Sequence, residues 1–486
     1  MFCCARAEKA LAQYPLAHPV GYGELVARLE RQERELYAIR RQLDAQMENR
    51  AAYGVSQTPG CGCDEPVWRL PAVAEVPPDP SCASPAGGDA HVLHYQVVYD
   101  RGFVLRPLDP RKHPFELKVN GRIQFRHAGF DRDVESWTDN AGVTEEVRSR
   151  NNFDIERARL VFSGYALSPR STYYMQLDGD TDDGEVVEFL DYWWAWEFSE
   201  PFQVQVGKRK VPAVRQWVLS SRNTRLVDRP MANDFFRPDR TTGIFLVGDL
   251  GEAVHYEMMA GNGYSTANLP LSQVGNQFTF AATSYWDPLG EYGRLLIDYD
   301  ATDRPLLRIG HSAVFSAQDD AELGVPTGEA DFLRLTDGTI LIDTGALAPG
   351  VTVSEFDIFF YGVDLAAKWG GFSINAEIFL RWLEDIRGDG ALPLDALFQK
   401  GFYVEGGTFV VARKLDVNVR YSQVSGLFGD SSEYAAGFNW FPLDSDRLKF
   451  TFDVTLLDGS PLDNTSSDIL VGDDGTLYRA QLQAEF

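Results

Sequence analysis

The segment Thr476–Phe486 alternates at every position. Tyr478, Ala480, Leu482, Ala484 and Phe486 fall on one side, and Arg479, Gln481, Gln483 and Glu485 fall on the other. Strand side chains change face at each residue, so this is a strand with one apolar and one polar face. The same period of two recurs along the chain. Phe115, Leu117, Val119, Ile123 and Phe125 alternate with Glu116, Lys118, Asn120, Arg122, Gln124 and Arg126. Ile374, Ala376, Ile378, Leu380 and Trp382 alternate with polar residues that include Asn375, Glu377 and Arg381. Leu448, Phe450, Phe452, Val454 and Leu456 alternate with Lys449, Thr451, Asp453 and Thr455.

A soluble sandwich also alternates. Two features point instead to a membrane barrel. The segments run about 9–12 residues, longer than ordinary strands. Connections also alternate between short and long. Short ones are Leu167–Ser171, Ser199–Pro201, Asp249–Glu252, Trp369–Gly371 and Leu443–Asp446, and long ones cover 128–151, 208–240, 317–353 and 458–475. No stretch reaches the roughly 18 apolar residues of a membrane helix, although 44% of the chain is hydrophobic. Alternation hides hydrophobicity in this way. Strand starts are expected near 115, 153, 172, 186, 202, 241, 253, 277, 305, 354, 372, 400, 415, 432, 447 and 476. Sixteen is an even number, as an up-and-down antiparallel barrel requires, and leaves a lumen wide enough for water. The expected fold is an all-β, 16-stranded transmembrane barrel with a short N-terminal coiled-coil helix. The terminal strand closes against the one starting near Phe115.

Three regions are expected: a coiled-coil segment at 1–50, a Pro/Gly-rich linker at 51–100 and the barrel at 101–486. Tyr22, Leu25, Leu29, Leu36, Ile39 and Leu43 form a heptad seam interrupted by Gln32. The seam fits a short coiled coil in an oligomer, or an amphipathic helix packed on its own chain. The five cysteines, Cys3, Cys4, Cys61, Cys63 and Cys82, all precede residue 90. A barrel free of cysteine suits export to an oxidising compartment. Cys61-Gly-Cys63 is too close for an ordinary metal knuckle, so a disulfide or a plain linker is expected. Met1–Ala7 lacks the basic start and apolar run of an export signal, so a start upstream or a lost signal is expected.

A net charge of −26 argues against nucleic acid as a partner. Acidic residues gather in two long connections: 317–345 holds seven against Arg334 alone, and 458–474 holds five aspartates and no Lys or Arg. These read as solvated loop tips or as a cation-attracting mouth. Asp178–Glu185 fails EF-hand spacing and reads as a polar loop. None of the seven histidines sits in a hydrolase or metalloprotease frame, so no enzyme, metal or cofactor is expected.

Several blocks resemble the phosphate-selective porin O/P family. Gly102-Phe-Val-Leu with Phe115–Arg126 resembles its opening strand, and Phe153–Gly164 its second. Val206-Gly-Lys-Arg-Lys-Val-Pro212, Leu219-Ser-Ser-Arg222, Val227-Asp-Arg-Pro230 and Arg240-Thr-Thr-Gly243 resemble its fifth strand, the loop after it and the returning strand. The resemblance implies an outer-membrane porin that lets small hydrophilic solutes diffuse passively, assembled as a homotrimer in outer-membrane lipid. It also implies that the loop after strand five folds into the lumen. Nine basic residues against three acidic ones lie in 208–240. They would make an anion-leaning constriction for phosphate or other oxyanions. The expected pore residues are Arg122, Arg157, Arg159, Lys208, Lys210, Arg215, Arg222, Arg225, Arg229 and Arg240. Alternatively these cations pair with the barrel's own inward carboxylates and shape the field without binding solute. A structural role is the rival function, with the coiled coil tethering the barrel to peptidoglycan or a periplasmic partner.

Overall fold

The computed structural model describes residues 94–181, 187–266, 269, 274–319 and 332–486. The chain divides after Asp89, and all described residues belong to the second unit, Ala90–Phe486. The coiled coil expected at 1–50, the linker up to 93 and all five cysteines lie outside the described residues, as does most of 181–186.

A hairpin of β1 (Tyr95–Tyr99) and β2 (Phe103–Pro107) precedes β3 (Phe115–Arg132). A small hairpin follows, β4 (Ser136–Thr138) with β5 (Thr144–Glu146). The wall continues with β6 (Arg150–Ala166), β7 (Ser171–Gly179), β8 (Val187–Ser199), β9 (Phe202–Lys210), β10 (Arg240–Leu250) and β11 (Val254–Gly261). It is completed by β12 (Thr279–Trp286), β13 (Leu306–Asp319), β14 (Val353–Trp369), β15 (Phe372–Gly388), β16 (Leu397–Val411), β17 (Leu415–Gly426), β18 (Gly429–Trp440), β19 (Leu448–Asp458) and β20 (Gly475–Glu485). Among the described residues, β3 and β6 to β20 make a closed, antiparallel, 16-stranded barrel. Each strand begins within three residues of its expected start.

Closure follows the expected seam. β20 pairs with β3 from Gly475↔Arg132 to Glu485↔Arg122. Phe486 N and O then bond the O and N of Gly121. Below this seam the free edge of β3 is covered by β2, through Phe103↔Val119 to Leu105↔Leu117.

The outer face is apolar where a bilayer would lie. On β14 Phe359, Tyr361, Val363 and Leu365 are exposed, while Phe360, Gly362 and Asp364 between them are buried. At the end of the barrel with the short turns, Phe198, Phe202, Trp286, Trp369, Phe372 and Trp440 face outward. They form the aromatic girdle expected at a membrane interface. No helix among the described residues is long and apolar enough to cross a membrane.

Two features depart from a simple apolar-out, polar-in wall. Inward-facing Ile358, Phe360, Phe379 and Leu383 are apolar and join a buried cluster inside the barrel with Phe236 and Leu335. The turn end is also irregular. Six of its connections hold at most seven residues, but 287–305 between β12 and β13 is much longer. It is buried at Tyr292, Leu296, Ile297 and Tyr299.

A charge in mid-bilayer on the outer face carries a large penalty. Val363 lies near the centre of the exposed run of β14, so Val363→Arg should cost about 2–4 kcal/mol. Urea titration of folding into phospholipid vesicles would measure it. A loss below about 0.5 kcal/mol would mean that this face does not meet hydrocarbon.

Candidate functional site: the lumen loop and the passage beside it

At the end of β9 the chain turns into the lumen. Val211 and Ala213 are buried, and 211–239 carries α1 (Arg215–Val218), a 3₁₀ turn at Ser221–Asn223 and α2 (Met231–Phe236). The loop is held by the polar inner face that strand alternation supplies. Its backbone N–H groups have no ladder to join, so wall carboxylates accept them. Glu377 accepts from the N–H of Arg215 at 2.7 Å and of Gln216 at 3.0 Å. Asp453 accepts from Val227 N at 2.8 Å, and Glu433 accepts from Met231 N at 2.6 Å.

Asp228 is the charged anchor on the loop. Arg126 Nη2 donates to its Oδ2 at 2.9 Å and Arg157 Nη2 at 3.1 Å, while Arg229 N donates to its Oδ1 at 2.8 Å. Burial opposes ionisation, but the Arg157, Arg126 and Arg229 charges outweigh it and hold the carboxyl far below the usual carboxylate range. Burial pulls the Arg229 guanidinium down to about 10 despite Asp228 beside it, which still leaves it charged at neutral pH.

The ten expected pore residues separate into three groups. Arg159, Lys210, Arg215, Arg222 and Arg240 line a cavity of about 590 Å³ between the loop and the wall from β6 to β13. Each is also held by protein. Arg159 donates to Asp178 at 2.7 Å and Arg240 to Asp191 at 3.0 Å. Arg215 donates to Asn375, and Arg222 to Glu485 at 3.1 Å. Lys210 Nζ donates to the carbonyls of Trp217 and Leu219 at the end of α1.

Arg122, Arg157, Arg225 and Arg229 are buried anchors. Arg122 donates to Ser220 and Ser221, fixing the 3₁₀ turn. Arg225 is fully buried and donates to Asn418, Ser373 and the Leu296 carbonyl. Arg229 donates to the carbonyls of Gln216 and Leu219. Lys208 lies outside both groups: it is in register with exposed Tyr192, and its Nζ donates to the Phe189 carbonyl.

The cavity lining contains three cations absent from those ten: Arg209, Arg294 and Arg308. Arg209 and Arg308 are on inner strand faces, paired with Glu257 and Asp364. Alternation could have found both. Arg294 comes from 287–305, which has no strand period. The long gap between the expected starts at 277 and 305 was its only sequence signal.

A second cavity of about 420 Å³ opens toward the turn end, lined by Arg101, Arg413 and Arg447 among others. Arg222, Asn223 and Arg294 line both cavities.

The family model for phosphate-selective porin O and P matches residues 123–486. No curated protein matches the chain by sequence. Solved structures that resemble it include the anion-selective porin from Comamonas acidovorans, at 11% identity and a TM-score of 0.49, covering 76% of this chain and 99% of that one. Salmonella typhi OmpF in complex with daunomycin is similar at 12% identity and a TM-score of 0.48, covering 80% and 100%. The outer membrane channel DcaP of Acinetobacter baumannii is similar at 10% identity and a TM-score of 0.45, covering 76% and 97%.

Removing one partner from a buried charge cluster leaves the others uncompensated. Asp228→Asn should therefore weaken loop docking by about 3–5 kcal/mol. Single-channel recordings at pH 7 should show a flickering current in the variant and a quiet one in the wild type. Because the Asp228 pKa is depressed, its contribution is present above the ordinary carboxylate range and is lost as pH falls through and below it. Wild-type current should stay quiet down to about pH 5 and begin to flicker below about pH 4. A variant as quiet as the wild type would remove Asp228 from this role.

Proposed function

Because the chain belongs to the phosphate-selective porin O and P family, we propose that it is an anion-leaning diffusion channel whose constriction is built by the loop 211–239. The coarser part of this follows from the family. The protein is an outer-membrane channel of a bacterium, and its family and fold are those of pores rather than enzymes. Passage through such a pore involves no bond making, so discrimination comes from the width of the path and the charges along it.

The supporting observation is a reversal of charge balance. The whole chain has 45 Lys and Arg against 71 Asp and Glu. The larger cavity is lined by eight Lys and Arg against five Asp and Glu. A low-dielectric wall focuses such an excess and raises the local anion concentration. Guanidinium forks suit oxyanions, phosphate among them, since two N–H groups meet two oxygens.

The loop enters from the long-loop end, so solute reaches it after passing the acidic outer connections. These carry Asp343, whose carboxyl burial holds above its ordinary value. We read the acidic rim as solvated surface and the basic interior as the selective element. The assembly that accompanies this reading is a homotrimer in outer-membrane lipid, checked by migration of unheated protein in gels.

Reversal potentials in planar bilayers under a KCl gradient test the reading. Wild-type channels should prefer chloride over potassium. Arg222→Gln should lower the preference about two- to threefold, the order expected for one unit charge near an aqueous path. A cation-preferring wild-type channel would overturn the proposal, and so would folded protein that gives no conductance steps.

A further inference from the structure

The loop 211–239 enters the lumen from one end of the barrel, and 287–305 enters it from the other. We propose that 287–305 is a second constriction element and that Arg294, which it carries, is a specificity-determining residue for anionic solutes. This rests on the anion-leaning reading above and assigns part of the selectivity to the periplasmic side of the barrel.

Three observations place the segment in the path. First, it is fixed inside rather than hanging below. The Leu296 carbonyl accepts from Arg225 Nη2 at 2.6 Å and from Asn375 Nδ2 at 2.9 Å, which ties the segment to both the loop and β15. Asp298 accepts from Gly371 N at 2.7 Å, tying it to the β14–β15 turn. Tyr292 is buried beneath the Arg215 guanidinium, 5.0 Å from its ring centroid, and the Lys368 ammonium at 4.5 Å. Asp287 accepts from Tyr292 N at 2.9 Å and closes the first bend.

Second, the backbone turns Arg294 out of this packing. Gly293 has φ of 77°, a left-handed conformation that favours glycine. It separates buried Tyr292 from exposed Arg294. Third, Arg294 borders both cavities together with Arg222 from the opposite insert. Arg222 is held by Glu485. Arg294 has no carboxylate partner among the described residues, so its charge is available to a passing ion. Two guanidiniums delivered from opposite ends thus flank the junction between the two cavities.

The test uses the full chain in planar bilayers. Arg294→Gln should lower the chloride-to-potassium permeability ratio about threefold, the order for one unit charge a few ångströms from the path. An unshifted urea midpoint would confirm that the fold is intact. All five native cysteines lie before residue 90. With them replaced by serine, Arg294→Cys supplies one thiol in the barrel. Modification by a sulfonate-bearing thiosulfonate should reduce chloride current, and an ammonium-bearing reagent should restore anion preference. If the wild type prefers anions and responds to Arg222→Gln, but neither Arg294 variant changes the ratio, the inference fails and the proposed function stands. If mass spectrometry shows complete modification without a current change, Arg294 lies outside the path. A cation-preferring wild type would overturn both readings.

Discussion

Everything in this barrel depends on one requirement: no strand may be left with an unpaired edge in hydrocarbon. An unsatisfied backbone N–H or C=O there costs several kcal/mol, so a sheet in a membrane must close on itself. Here the requirement is met between β20 and β3, in an uninterrupted register from Gly475↔Arg132 to Glu485↔Arg122. Phe486 completes the seam on Gly121, with its ring lying over the glycine. A Cβ at Gly121 would lie 2.3 Å from the Phe486 ring.

Closure has an electrostatic consequence. Once one face is committed to lipid, every other residue must point into the lumen, and in this chain those residues are heavily charged. They meet as compensated clusters. Arg420 lies between Glu405 and Glu433 at 3.0 and 3.2 Å, and Arg479 pairs with Asp453 at 2.9 Å, all fully buried. A cluster of this kind is costly to break, because a lone buried charge has nothing to replace its water. Several of the same carboxylates also receive the loop's N–H groups. The inner wall is therefore the docking surface for the loop. Beside the docked loop, the larger cavity faces β6 to β13.

The barrel was legible because its signal is local. A strand states its two faces in consecutive residues, and short turns such as Ser199–Pro201 mark where the chain reverses. That is why the start of β9 at Phe202 and of β17 at Leu415 could be read to the residue. The inward apolar cluster was harder to see. Phe356, Ile358 and Phe360 sit among outward Phe359 and Tyr361, so the sequence is apolar on both faces. The inner ones belong to the same buried cluster as Phe236 of α2, more than a hundred residues earlier, and Phe379 of β15 stacks against both Phe236 and Phe360. The basic stretch 208–240 marked the right region but not the part each cation plays. Arg222 and Arg225 are three residues apart in one loop. The first borders open space, and the second is enclosed by Asn418, Ser373 and Leu296 from distant elements. Nothing near Arg294 in the chain announces that it borders the same two cavities as Arg222.

The sequence by itself determined the sixteen strands, their order, the lipid-facing side and the seam between the ends. Each follows from a period of two and from the requirement that backbone groups pair. The tertiary structure alone decided which cations line the cavity beside the loop and which are enclosed by protein partners. It also decided that a second segment enters from the opposite end. The physical reason is range. Strand alternation is settled between neighbours, whereas the availability of a guanidinium depends on which carboxylate closure brings beside it.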